Sequence, residues 1–190
     1  MTETLRQLLT GLRAIVVLTV LLGVAYPLAV WGVGRTAFPD QADGSLVVRD
    51  TTVVGSSRIG QAFEGARWFA PRPSAADYDA LASGGSNAGP SDTDLIGSIN
   101  ARRAAIAHRD GVPAADVPPD AVTASGSGLD PYISPEYARI QVHRVARARG
   151  LSPARVTTLV EAQTSGRILG FLGEPRVNVL ELNLALESSR

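Results

Sequence analysis

The chain has 190 residues, of which 45% are hydrophobic, and its 18 basic side chains balance its 18 acidic ones. A neutral chain is a poor match for nucleic acid or for an anionic surface, since both select proteins with an excess of basic residues. The chain contains no cysteine, which excludes disulfides, thiol catalysis and thiolate metal sites. Every basic residue other than the two histidines is arginine, so a P-loop with its phosphate-binding lysine is also excluded.

The first long pattern is a run without any charge from Ala14 to Gly34, flanked by Arg13 and Arg35. At about 1.5 Å of rise per residue, a helix of this length covers the roughly 30 Å of hydrocarbon in a bilayer. The sequence therefore predicts a transmembrane anchor whose ends are Ala14 and Gly34. A cleaved signal peptide is the alternative, but its apolar core is usually only about 7–15 residues long, so an uncleaved anchor is favoured.

The arginines around this run predict its orientation. Arg6 and Arg13 precede it against the single acid Glu3, whereas only Arg35 follows it before the next acids. Because positive residues are retained on the cytoplasmic side, we expect a cytoplasmic segment 1–13, a transmembrane helix 14–34 and an extracytoplasmic globular domain 35–190. The length of the last segment suits one domain.

Local signals predict the elements of the globular part in chain order. Short β-branched runs at 46–48 and 52–54 indicate a hairpin. Residues 65–91 are rich in glycine and proline and lack periodicity, which is typical of a functional or partner-facing loop. Helices are expected where a capping residue precedes an amphipathic run and a breaker follows it. These helices are 91–110, 135–149 and 154–162.

Two further segments are less determined. Residues 121–123 are predicted as a short strand. The tail 178–186 is left open, because Asn178 and Glu181 form a helix-capping pair while Val177 and Val179 alternate as in a strand. The expected fold class is α/β, or α+β, with one N-terminal transmembrane helix and a mixed globular domain of several helices and few strands.

Several groups of polar residues are candidates for a functional site. His108 and His143 lie on different predicted helices without further ligands nearby in sequence, so no metal site is predicted. The stripe Arg139, His143 and Arg147 is interpreted as a solvated basic face rather than a phosphate clamp. Two glycine-rich loops, 83–87 and 125–128, could direct backbone N–H groups at an anion, although each alone is more typical of a turn.

Several stretches taken together resemble one family. They are GSSRIGQAF, WFAPRPSAADYDALASGGSNAGPSD, VTASGSGLDPYISPEYARIQVHRVARARG and LGEPRVNVLELNLAL, in that order after the apolar run. The chain is similar in this respect, over nearly its whole length, to the KdpC family of the Kdp-type potassium-transporting ATPase.

The resemblance implies a non-catalytic accessory subunit in a bacterial plasma membrane. Its expected partners are a channel-like potassium-translocating subunit, a P-type ATPase subunit and a small membrane subunit, with potassium as the transported ion. It further implies a catalytic chaperone that raises the ATP affinity of the ATPase subunit. The nucleotide-binding residues implied are Gln141 and, in the first glycine-rich loop, Ser83, Gly84, Gly85, Ser86 and Asn87.

The sequence leaves two points open. The predicted orientation places Gln141 outside the cell, away from cytoplasmic ATP, so a purely structural role is physically simpler. The alternative function is an independent membrane-anchored extracytoplasmic binding module or enzyme.

Overall fold

The computed structural model describes residues 2–189. Between Leu46 and Val47 the chain divides into two compact units. The smaller, N-terminal unit is dominated by one long helix, and the larger unit is a mostly helical domain with two small sheets.

The N-terminal helix extends from Glu3 to Ala37 and is long and apolar enough to cross a membrane. It comprises α1 (Glu3–Val20), a π-helical turn (Leu21–Ala25) and α2 (Tyr26–Ala37), and the short helix α3 (Pro39–Ala42) follows it. Its apolar window has a mean hydropathy of 2.3, and none of that window is buried within the chain. A helix that is apolar on every side and uncovered is typical of a membrane span.

The π-helical turn lies directly before Pro27 and accommodates it. Pro27 has no N–H to donate to the carbonyl four residues earlier. The N–H of Tyr26 instead donates to the carbonyl of Leu21, five residues back, which widens the turn locally.

The remaining elements lie in the larger unit, apart from Leu46 at the start of the first strand. The strands are β1 (Leu46–Arg49), β2 (Thr52–Ser56), β3 (Tyr132–Ile133), β4 (Thr164–Ser165) and β5 (Arg176–Asn178). The helices are α4 (Thr93–Asp110), α5 (Pro119–Val122), α6 (Pro135–Arg149), α7 (Pro153–Ala162) and α8 (Val179–Ser188), with a 3-10 turn at Ala114–Asp116.

The predicted hairpin and the three predicted helices are confirmed. Asp50 and Thr51 turn the hairpin with positive φ angles of 47° and 69°, which suits the right-handed twist of the paired strands. The carboxylate of Asp92 caps α4 by accepting from the N–H groups of Asp94 and Leu95. Gly111 and Gly150 end α4 and α6 in the left-handed conformation, as expected for C-terminal glycines.

One element was predicted wrongly and one was undecided. Residues 121–123 are not a strand, because Pro119 begins the helical turn α5 and its fixed φ angle suits the first turn of a helix. The tail combines both alternatives. Asn178 ends strand β5 and its side chain then accepts from the N–H of Glu181, capping α8.

The core forms around α6, which buries Tyr137, Gln141 and Val145. One side of α6 faces α7, and β5 lies between β3 and β4 in an antiparallel three-stranded sheet. Since both sheets are small and the pairings within this one are antiparallel, the unit belongs to the α+β class rather than to doubly wound α/β folds. The expected combination of several helices with few strands is confirmed.

The long connection between β2 and α4, residues 57–92, contains neither helix nor strand. It is nevertheless fixed to the core through Phe69, which is fully buried. The side chain of Asn183 accepts from the N–H of Phe69 at 2.9 Å and donates to its carbonyl at 3.1 Å. This connection is therefore packed against the core, and its residue Ala70 belongs to the candidate site.

Candidate functional site

Gln141 is the centre of a buried hydrogen-bond network on α6. Its side-chain carbonyl accepts from the N–H of Ala70 at 2.7 Å and from the guanidinium of Arg144 at 2.7 Å. Its amide group donates to the carbonyls of Ala70 and Tyr137, both at 3.2 Å. The residue is fully buried. Both ends of the side chain are therefore engaged in joining α6 to the long connection.

A buried ion cluster lies beside this network. The carboxylate of Asp110, at the end of α4, is completely buried and pairs with Arg144 at 2.5 Å and with Arg109 at 2.6 Å. Arg144 also donates to the carbonyls of Ala66 and Trp68, at 2.7 and 2.9 Å. Because these partners lie on different parts of the unit, the cluster ties α4, α6 and the long connection together.

Arg109 and Tyr137 extend the cluster toward the core. The guanidinium of Arg109 donates to the Tyr137 hydroxyl at 3.4 Å. Burial raises the pKa of the Tyr137 phenol, outweighing the opposite effect of the neighbouring Arg109. Tyr137 therefore stays neutral under physiological conditions and contributes packing and a hydrogen bond rather than charge.

An open cavity of about 760 Å³ lies over the ion cluster. Its polar lining consists of His108, Arg109, Asp110, His143, Arg144 and Arg147. Three arginines against one carboxylate make the lining net positive. Arg109 and Arg144 are already engaged by Asp110, so Arg147 is the arginine of this lining with the chemistry to hold an anion, through paired hydrogen bonds with phosphate or carboxylate oxygens.

The structure brings together residues that were singled out separately. His108 and His143 come from different helices and line the same cavity. Arg147 also lines it, whereas Arg139 lines a separate pocket. Within residues 2–189 there is no group of three metal-ligating side chains.

The two glycine-rich loops pack against each other. The N–H of Gly84 and the hydroxyl of Ser83 both donate to the carbonyl of Ser127, at 2.8 and 3.0 Å. A Cβ atom on Gly128 would lie 2.8 Å from the carbonyl oxygen of Gly84, so only glycine permits this approach. The N–H of Gly84 is thus already occupied within the protein. Of the other residues in the first loop, Ser86 and Asn87 are exposed and Gly85 lies against Gly126.

Sequence reasoning missed the ion cluster of Asp110, Arg109 and Arg144. One local signal was available, because Asp110 is the last residue of a helix, where the dipole disfavours a negative charge. An acid in that position indicates a compensating partner. The main partner, Arg144, is brought to Asp110 by the packing of α4 against α6, and local sequence patterns do not show this tertiary contact.

An apolar membrane-length helix joined to one small, mostly helical domain is the architecture of a single-span, membrane-anchored protein. A protein-family model described as "KdpC: K+-transporting ATPase, c chain" matches residues 8–188. The chain belongs to this family, and as a c chain it is a non-catalytic subunit of a potassium-transporting ATPase.

Individual relatives extend over the same length. The potassium-transporting ATPase KdpC subunit of Kineococcus radiotolerans is 60% identical over 191 aligned positions, covering 100% of this chain and 97% of the relative. The KdpC subunit of Mycobacterium bovis is 52% identical over 185 positions, with 96% and 98% covered. That of Cereibacter sphaeroides is 49% identical over 179 positions, with 94% and 95% covered. The resemblance drawn from the sequence is confirmed.

Proposed function

We propose that this chain assembles and stabilises a high-affinity potassium-uptake ATPase by packing its anchor and its globular domain against the other subunits. These partners are a channel-like potassium-translocating subunit, a P-type ATPase subunit and a small membrane subunit. The observation that carries the proposal is the long apolar helix, which is uncovered over its whole apolar window. In a membrane, such a helix is available for packing against neighbouring helices.

In this proposal the chain has three parts: residues 1–13 in the cytoplasm, residues 14–34 across the plasma membrane and residues 35–190 outside. The excess of arginine before the apolar run supports this orientation, since positive residues are retained inside.

Assembly is tested by affinity purification of the full-length chain from native membranes in mild detergent, followed by mass spectrometry. Recovery of the other subunits in fixed proportion is expected. Recovery of the chain alone, folded and monodisperse, would instead support an independent anchored module. A chain that begins at about Thr36, and so lacks the anchor, is the matched control. An independent module keeps its activity without the anchor, whereas a subunit loses its function.

Orientation is tested with cysteine labelling, which is clean because the natural chain has no cysteine. Gln7→Cys and Ala154→Cys place a thiol at an exposed position on either side of the predicted span. A membrane-impermeant maleimide applied to spheroplasts is expected to label only the second. Labelling of the first alone would reverse the proposed topology.

A second candidate role is that of a catalytic chaperone that raises the ATP affinity of the ATPase subunit. The basic cavity favours it, because Arg147 offers a positive charge and the two histidines offer ring nitrogens to a phosphate group. Gln141 lies behind the cavity wall, where it bonds to Ala70 and Arg144, and both of these residues line the cavity.

This second role requires contact with nucleotide, so it depends on which side of the membrane the domain occupies. The test is the KM for ATP of the whole complex carrying His143→Ala and Arg147→Ala. A raised KM with unchanged kcat is expected if the cavity holds nucleotide. Arg155→Ala, on the exposed start of α7, is the control. An unchanged KM, together with external labelling of the domain, would refute the chaperone role for this cavity.

A further inference from the structure

The ribbon formed by β4 and β5 projects an apolar turn from the globular domain. Strand β4 pairs with β5 through Thr164 opposite Val177 and Ser165 opposite Arg176. Beyond these pairs the two chains continue as a narrow hairpin, residues 166–173, which we call the apolar hairpin. Because Val177 is fully buried, the base of this ribbon is fixed in the core.

Four large apolar side chains are exposed on the apolar hairpin. Ile168, Leu169, Phe171 and Leu172 are 57%, 80%, 68% and 48% exposed. Single exposed apolar residues are ordinary, but a contiguous group on one protruding turn is typical of a contact site. Phenylalanine and leucine in such a position can insert into a pocket on a partner.

The apolar hairpin is also conformationally ordered. The N–H of Ile168 donates to the carbonyl of Leu172 and the reverse bond is also present, both at 2.9 Å. Leu169 is held in the left-handed conformation with φ of 54°, which is unfavourable for a residue with a side chain. The two reciprocal hydrogen bonds therefore hold the backbone of the turn in one arrangement, and a preorganised loop loses less freedom on binding.

The charges at the base identify the kind of surface that the apolar hairpin fits. Arg167, within the apolar hairpin, pairs at 2.6 Å with Glu174, which directly follows it. Arg176, opposite Ser165 at the base, places its guanidinium 4.9 Å from the centre of the Tyr132 ring. The base therefore carries one arginine in excess, whereas segments that dock on anionic bilayers carry clusters of basic residues around their apolar side chains. An apolar tip with a rim whose charges already have partners within the domain is the arrangement of a protein-protein contact.

We propose that the apolar hairpin inserts into an apolar pocket on another subunit of the same ATPase, on the membrane side where the globular domain lies. This inference rests on the proposed function, because it takes its partner from the assembled complex. It adds the contact by which the globular domain, as distinct from the anchor, is attached. The contact is apolar, so it is expected to be insensitive to salt.

The first experiment identifies what the apolar hairpin touches. Phe171→p-benzoylphenylalanine is introduced into the full-length chain in the complex and irradiated in native membranes. A cross-link to another subunit of the ATPase is expected. A cross-link to lipid only, to a second copy of this chain, or to nothing would overturn the proposal. The same substitution at Leu81, which is 97% exposed on the long connection, is the matched control and is expected to give no such product.

The second experiment measures the contribution of the contact. The double variant Leu169→Ser with Phe171→Ser is compared with Leu81→Ser in the purified complex. The double variant is expected to dissociate from the other subunits at least about tenfold faster in detergent, since two large apolar side chains leave the contact. The control is expected to dissociate at the natural rate.

The outcomes separate this inference from the proposed function. If the natural chain does not co-purify with other subunits, the proposed function fails. If it does, and the double variant dissociates no faster than the control, the inference alone fails. Matching thermal unfolding curves for the two variants show that the comparison concerns the contact rather than the fold. Should the double variant unfold, the cross-linking result decides.

Discussion

Replacing Gln141 by alanine is expected to destabilise the globular domain strongly. The substitution removes four hydrogen bonds, in which Gln141 accepts from Ala70 and Arg144 and donates to Ala70 and Tyr137. It leaves three groups without their bonds to Gln141: the N–H of Ala70, the carbonyl of Ala70 and the Nη2 of Arg144. It also opens a cavity in a fully packed part of the core, because Gln141 is completely buried.

The size of the effect follows from these unpaired groups. A buried polar group left without a partner costs about 1–3 kcal/mol, so three such groups would cost about 3–9 kcal/mol. Because Ala70 is only half-buried, the lower part of that range, roughly 3–6 kcal/mol, is expected. The total stability of a domain is about 5–15 kcal/mol. At about 2–4 °C per kcal/mol for a domain near 150 residues, the melting temperature is expected to fall by roughly 10 °C or more.

The assay is chemical and thermal unfolding of the full-length chain in detergent, followed by circular dichroism. Gln163→Ala is the matched control, because Gln163 lies half-buried at the end of α7, and a change within about 0.5 kcal/mol is expected there. A loss below about 1 kcal/mol for Gln141→Ala would refute the argument. It would mean that the side chain is free to serve a ligand, as the resemblance implied.

Three further predictions concern the same domain. Asp110→Ala is expected to cost about 3–5 kcal/mol in denaturant unfolding, because it leaves Arg144 buried without its carboxylate; a loss under about 1 kcal/mol would contradict this. Gly60→Ala is expected to lower the melting temperature, because the added Cβ atom would lie 2.5 Å from a backbone oxygen. Gly89→Ala is the control and is expected to be neutral, because its Cβ atom would meet nothing within 4 Å. Equal melting temperatures for the two variants would count against this prediction. Burial raises the pKa of Tyr137, so the stability that its neutral phenol contributes is present below about pH 10 and is lost as the pH rises further. Melting temperatures measured from about pH 8 to 12 are therefore expected to fall less steeply with pH in Tyr137→Phe than in the natural chain.

Those features that depend on neighbouring residues could be predicted from the sequence. Asp92, Ser134 and Ser152 each cap a helix through their own side chain, and Gly111 and Gly150 each end one. Both signals act within one turn of the chain, so they are visible without any tertiary information. The apolar run was equally visible, because membrane crossing depends on length and composition.

The candidate site was less predictable because its groups meet only in the folded domain. The spacing of His108 and His143 in the chain gave no reason to place them at one cavity, yet α4 and α6 bring both there. The wrong strand at 121–123 has a different cause. Pro119 begins a helical turn there, and this local signal outweighed the preference of Val122 for strands.

The geometry of the cavity decides which residues can report on a ligand. Arg144 lines the cavity but directs its guanidinium at Asp110, two backbone carbonyls and Gln141. A variant at Arg144 or Gln141 therefore perturbs the fold first, and a change in nucleotide response measured there says nothing about contact with nucleotide. His143 and Arg147 line the same cavity from exposed positions on α6. These two side chains can therefore be removed with little loss of packing. If the cavity affects ATP affinity, variants at His143 and Arg147 are the ones that show it.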